Sequence, residues 1–211
     1  TPGATSYPSD DRQKDMNAFL QGTLRKNFSP LYTLRVSAKG SSDDIYYTST
    51  WGDSRYGQTE IQLNSAHDFQ IKDWWKLSLA ADARWDALNS TNYHASRFTA
   101  LSALASSFRT ERFMATVALE YEGAFDRDGL SRNALSPSAD LRFTAFEGFD
   151  IVAFGRRAYR IPTFNELYYV GYGNPQLAPE DAWLTDLGID FNRRVNAAWA
   201  MKLKADAFCN L

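Results

Sequence analysis

Residues able to do bond chemistry are few in this chain and far apart. Two histidines, His67 and His94, and one cysteine, Cys209, stand among 211 residues. A general base needs a hydrogen-bonding partner and a reacting group within reach. His67 instead shares an alternating face with Ile61, Leu63 and Phe69, and reads as a wall residue near an apolar boundary. His94 follows Tyr93 in a polar connection, where a ligand contact and an ordinary exposed histidine are both open readings. A lone cysteine forms no internal disulfide. Zinc-ligand spacing, nucleophile elbows and glycine-rich phosphate loops are missing. Asp43-Asp44 and Asp126-Arg127-Asp128 carry carboxylates that suit Ca²⁺, but solvated turns are the simpler reading. No enzyme activity, metal site or cofactor is expected.

The tyrosines are more informative. Tyr46, Tyr47, Trp51 and Tyr56 crowd one connection, and Tyr168, Tyr169 and Tyr172 crowd another. Such rings supply apolar contact area with a polar handle at low entropic cost. These seven are the candidate ligand contacts, with packing at an interface as the competing explanation.

These residues need elements to hold them, and the pattern that supplies them has period 2. Trp75, Leu77, Leu79, Ala81, Ala83 and Trp85 alternate with Lys76, Ser78, Asp82, Arg84 and Asp86. Similar alternation runs through Phe113–Tyr121, Tyr32–Lys39 and Trp199–Ala207. Ten segments result, at 17–27, 31–43, 59–71, 75–88, 96–108, 112–124, 137–146, 150–160, 180–192 and 197–208. Most exceed the usual five or six residues of a globular strand and match the nine to eleven of a tilted membrane strand. Charges recur on the second face too often for a packed core. Connections alternate between short ones (near Ser29-Pro30, Asp73-Trp74, Thr110-Glu111, Gly148 and Arg194-Val195) and longer ones at 44–58, 89–95, 125–136 and 161–179. That layout predicts an all-β, antiparallel up-and-down meander of transmembrane-barrel type.

Composition agrees with this. Six Trp, eleven Tyr and an aromatic share of 15% suit the interface girdles of a membrane barrel, and also a carbohydrate-binding β-domain. A mean hydropathy of -0.44 is compatible with a barrel, where only alternate residues face lipid. A net charge of -2 gives no footprint for nucleic acid. Residues 1–15 are polar and turn-rich, and are expected to be poorly ordered, with 16–211 forming the barrel portion.

The segment from Arg156 to Asp190 carries two boxes. The first is Tyr159-Arg160-Ile161-Pro162, followed by Thr-Phe-Asn and then Glu166-Leu167. The second is Asn174-Pro175-Gln176-Leu177, followed by Ala178-Pro179-Glu180. Thr163 and Glu166 have capping-box spacing for one helical turn, and Gly171 and Gly173 are natural bend points. This arrangement resembles the late-barrel signature of TonB-dependent outer-membrane receptors. The resemblance implies a bacterial outer-membrane location and a 22-stranded barrel plugged by a globular domain. It also implies uptake of a large nutrient such as an iron-siderophore or cobalamin, powered through a TonB complex acting on the plug. Some haem receptors of that family place a histidine between the boxes; none lies at 163–173, which favours siderophore or corrinoid. Ten strands are fewer than half the family's number. The chain is therefore expected to be a piece of the barrel that does not transport alone, with open sheet edges that close into a smaller barrel, pair with a second copy or meet neighbours that complete the sheet. The alternatives are a soluble, aromatic-rich β-domain that binds carbohydrate, and an autonomous small outer-membrane barrel.

Overall fold

Alternation of apolar and charged residues produces ten strands in sequence order: β1 (Arg12–Ser29), β2 (Tyr32–Ser49), β3 (Gly52–Lys72), β4 (Trp75–Ser90), β5 (His94–Arg109), β6 (Phe113–Asp126), β7 (Ser131–Phe146), β8 (Phe149–Arg160), β9 (Glu180–Arg194) and β10 (Ala200–Asn210). A computed structural model describes residues 10–127, 129–194, 196 and 198–211. Each strand pairs antiparallel with its sequence neighbour, giving one sheet in the order β1 to β10. Residues 1–9 lie outside the described residues, as do Asp128 and Val195. β1 begins at Arg12, five residues ahead of the start that alternation marks.

Register fixes the two faces, because a one-residue slip would exchange them. Trp75 opposes Phe108, and Leu79 opposes Leu104, which opposes Leu119. Trp85 opposes Phe98, and Phe98 opposes Phe125. These residues share the apolar face with Leu63, Val117, Ile151, Ile189 and Leu203. The other face carries ion pairs: Lys39–Glu60 and Lys76–Asp68, both at 2.9 Å, and Arg142 between Asp150 and Asp190 at 3.4 and 3.7 Å. Among the described residues the buried apolar side chains are few: Leu88, Ala115, Ala124, Ala134, Pro162 and Leu167. A soluble domain of this size hides its large apolar residues and rarely shows a broad apolar patch. Here Leu79, Trp85, Leu104, Val117 and Leu187 stay exposed along one face, as a lipid-facing wall requires. The carbohydrate-binding soluble domain therefore lacks the core it needs.

Aromatic rows edge the apolar face. Near the short turns, Tyr32 stacks on Phe28 at 5.3 Å and on Phe69 at 4.9 Å, Trp75 on Phe108 at 6.1 Å, and Phe146 on Phe149 at 4.9 Å. His67 joins this row and its Nδ1 lies 2.9 Å from the Tyr32 hydroxyl, so it is the wall residue that its pattern indicates. The opposite row runs through Trp85, Phe98 and Phe125, the last two 6.4 Å apart. Ten residues of β4 separate Trp75 from Trp85. Ten residues are about 33 Å of strand, or about 25 Å of height at a tilt near 40°, the height of a barrel's apolar band.

Above the upper row the strands continue, and here the connections differ from expectation. The 44–58 connection is not a loop: β2 reaches Ser49 and β3 starts at Gly52, leaving Thr50 and Trp51 as a two-residue turn. The connections at 89–95 and 125–136 shrink in the same way, to 91–93 and 127–130. Only 161–179 remains long.

Candidate functional site

Four carbonyl and side-chain anchors bend the 161–179 connection back over the charged face. Its first box ends β8, and Pro162 is fully buried. Thr163 then caps α1 (Phe164–Tyr168). The Thr163 Oγ1 accepts from the Glu166 backbone N–H at 3.3 Å, while a Glu166 carboxylate oxygen accepts from the Thr163 N–H at 2.7 Å. This is the capping box that the sequence spacing indicates. Leu167, on the inner side of α1, is 0% exposed.

The second box closes the loop on itself. The Asn174 N–H donates to the Glu166 carbonyl at 2.8 Å, and the Asn174 side chain accepts from the Gln176 N–H at 3.0 Å. Arg160 clasps both boxes, donating to Glu166 at 3.0 Å and to Glu180 at 2.8 Å. This pairing with Arg160, helped by the Thr163 donors, pulls the Glu166 carboxyl down to about 2. Gly173 sits where chain crosses chain: a Cβ there would lie 2.6 Å from the Tyr169 nitrogen and 2.7 Å from the Leu167 carbonyl oxygen. Tyr159, Arg160, Pro162, Glu166, Leu167, Asn174, Pro175, Leu177, Pro179 and Glu180 thus lie within or flank one folded loop, and several of them are its staples.

Strand residues hold the loop from below. Asp126 at the end of β6 takes Arg97 of β5 at 2.5 and 3.1 Å and Arg132 of β7 at 2.9 Å. Arg97 also donates to the Pro162 carbonyl at 2.8 Å, and its guanidinium lies 5.0 Å from the Phe164 ring centroid. Arg132 donates to the Pro175 carbonyl at 3.3 Å. The Tyr168 hydroxyl reaches Asp126 at 3.4 Å. The Asp126 side chain is only 2% exposed, so the solvated-turn reading of 126–128 is corrected for Asp126: two guanidinium groups neutralise it inside.

Between the loop and β2 to β6 lies a cleft of about 820 Å³. Tyr56 and Tyr169 both line it, and their hydroxyls lie within interaction distance. The other candidate aromatics are placed elsewhere. Tyr172 is 89% exposed on the loop's outer surface, 6.1 Å from Tyr169. Tyr168 points inward onto Tyr93 and Phe164, at 6.3 and 6.4 Å. Tyr46 hydrogen-bonds Asp53 and Tyr47 hydrogen-bonds Asp11, on opposite faces of the β2–β3 hairpin. Trp51 tips that hairpin, 97% exposed. Residues that sequence reading passed over are Tyr93, whose hydroxyl donates to the Asn165 side chain, and the Arg97–Asp126–Arg132 anchor. Hairpin counting back from the turn at 110–112 sets Arg97 opposite Asp126, and this was the available signal.

The family model described as "TonB dependent receptor-like, beta-barrel" matches residues 103–208. The chain belongs to this family. Its apolar face is thus the lipid-facing surface of a bacterial outer-membrane barrel wall. The copper transporter OprC superposes with a TM-score of 0.74 at 14% identity, over 92% of this chain and 38% of that one. The FrpB iron transporter of Neisseria meningitidis (F5-1 variant) gives 0.69 at 14%, over 94% and 36%. The siderophore receptor PirA of Pseudomonas aeruginosa gives 0.62 at 20%, over 93% and 45%. At these identities the likeness is one of fold, and the chain spans less than half the length of each of these receptors. No curated protein sequence matches the chain. Members of the family are receptors and transporters rather than enzymes.

Proposed function

We propose that this sheet forms part of the wall of a barrel that captures and imports a large nutrient, an iron-siderophore or a corrinoid. The cleft beneath the in-folded loop is its ligand-contacting surface. In a lipid-facing wall, β1 and β10 each need a further neighbour along their outer edges. Among the described residues each has only one partner strand, so additional strands complete the barrel. Import is driven by a TonB complex acting through a plug in the lumen. Tyr56 and Tyr169 are the inner contacts. Tyr172, Tyr46, Tyr47 and Trp51 meet the ligand earlier, at the rim, and Tyr168 holds the loop.

The observation that carries this reading is the cleft of about 820 Å³, within the range of about 300–1,000 Å³ of ligand sites, walled by aromatic rings above an ion-paired floor. The similarly folded copper transporter OprC, iron transporter FrpB and siderophore receptor PirA support the same class. The test is uptake by cells carrying the receptor at equal abundance, supplied with ferric siderophores or with cobalamin. Replacing Tyr56 and Tyr169 together by alanine is expected to weaken capture about tenfold or more, at about 1 kcal/mol or more per contacting ring. Undiminished uptake of every ligand that the unmodified receptor takes up would remove the cleft from the transport path.

A further inference from the structure

The charged residues that line the cleft are almost all spoken for. Glu60 pairs with Lys39, Asp86 with Arg84, Arg97 with Asp126, and Arg160 with Glu166 and Glu180. Glu122, on the lumen face of β6, lines the same cleft and, among the described residues, has neither an ion pair nor a hydrogen bond. A second residue there is also unsatisfied. Thr99 of β5 is 1% exposed, lines the cleft, and its hydroxyl has no hydrogen-bond partner. The two are neighbours: Thr99 opposes Ala124 and Leu101 opposes Glu122, so Thr99 and Glu122 sit diagonally on one face, about 7–8 Å apart along the backbone. A carboxylate that no cation meets directly, with Arg84 and Arg97 acting on it only through space, beside a buried hydroxyl without a partner, leaves the wall short of a positively charged hydrogen-bond donor at that point. Tyr56, Tyr159 and Tyr169 line the same space, and aromatic rings attract cations across their faces.

We propose that Glu122 and Thr99 form a subsite for an organic ammonium group carried by the ligand. The ammonium donates one hydrogen to the Glu122 carboxylate and a second to the Thr99 Oγ1, with its carbon stem against the tyrosine rings. A carboxylate-rich ligand is disfavoured here, because it would meet Glu122 without a compensating free cation among the residues lining the cleft. This inference rests on the reading of the cleft as the ligand site, and extends it to the charge of one arm of that ligand.

The test uses the protein in detergent micelles, titrated calorimetrically with benzylammonium chloride, with benzyl alcohol and sodium benzoate as neutral and anionic counterparts and Mn²⁺ as a bare cation. Benzylammonium is expected to bind at least tenfold more tightly than either organic counterpart and than Mn²⁺. Glu122→Gln, close in shape, is expected to weaken it at least tenfold, and Thr99→Val about threefold. Glu147→Gln, in the turn at the other end of the sheet, leaves it unchanged. Equal binding of benzyl alcohol, tighter binding of Mn²⁺, or full affinity in a folded Glu122→Gln variant would each overturn the ammonium subsite. Should the Glu122→Gln protein fail to fold, salt titration of the unmodified protein decides instead: the benzylammonium affinity must fall between low and high ionic strength, and a salt-independent affinity counts against the proposal. Failure of the broader reading looks different: the Tyr56/Tyr169 alanine pair then leaves nutrient uptake intact, whatever benzylammonium does.

Discussion

Two aromatic-rich outer connections of similar composition adopt opposite solutions. The β2–β3 connection stays paired to its tip, with Tyr46 held by Asp53 at 2.6 Å and Arg55 clamped on Asp44, and it projects as a stiff hairpin with Trp51 in water. The β8–β9 connection abandons pairing after Arg160 and folds inward, pinned through Arg97, Asp126 and Arg132. Proline decides much of this. Pro162, Pro175 and Pro179 cannot donate ladder hydrogen bonds, whereas 44–58 contains no proline and keeps its full ladder. Aromatic content alone therefore does not say whether an outer segment projects into water or folds inward. The backbone donors and the charges beneath it do.

The strongest way to break this contrast is to remove the anchor. Asp126→Ala leaves Arg97 and Arg132 with 9% and 10% exposed side chains and no counter-charge. A loss of about 3–5 kcal/mol is expected on unmatching a buried pair of this kind, read by denaturant unfolding in micelles. Proteolytic cutting within 161–179 should rise while 44–58 stays resistant. If the cutting pattern is unchanged, the anchor does not hold the loop. Gly173→Ala comes next. Its Cβ has no room against the Tyr169 nitrogen and the Leu167 carbonyl, and the strain should cost about 1–3 kcal/mol, visible as the same loop-specific cutting with the hairpin unaffected.

A pH series sharpens the comparison with a smaller effect. Arg160 lowers the Glu166 carboxyl to about 2 from an unfolded value near 4.3. The clasp therefore contributes fully above the unfolded value, weakens as pH falls below it, and is lost once the folded value is passed. Loop protection should decline from about pH 4 to pH 2 and should decline less steeply in Glu166→Gln, where Glu180 is the carboxylate left on Arg160. An identical decline in the variant would assign the effect elsewhere. The smallest change is expected at Trp51→Ala, within about 0.5 kcal/mol on stability, since the tip ring packs on nothing.

Much of the sheet was legible because membrane strands are amphipathic on a scale of two residues. Trp75 to Asp86 announces its faces, and their register follows. The hairpin tops were not legible for the same reason. Above the lipid both faces of β2 and β3 meet water, so Asp43 to Thr59 loses its alternation while keeping its hydrogen bonds. In the site, the capping box and the bend at Gly173 could be read locally, since their partners lie within ten residues. The Asp126 anchor joins residues 29, 6 and 42 positions away in sequence, and only register brings them together. Aromatic crowding singled out Tyr56 and Tyr169 but gave no reason to separate them from Tyr46 or Trp51, because pairing across strands, not composition, decides which face a ring takes.

The two stacked aromatic rows on the outer face also act as a gauge of membrane thickness. Their separation of about 25 Å is shorter than the hydrocarbon of an average bilayer, about 30 Å, and closer to the thinner bacterial outer membrane. A thicker bilayer would have to compress around the band between Trp75 and Trp85, or bury the Asp44–Arg55 pair above it, at a fraction of a kcal/mol for each ångström of mismatch. Spread over every strand of a barrel, that small penalty gives the wall a preference for a membrane of its own thickness.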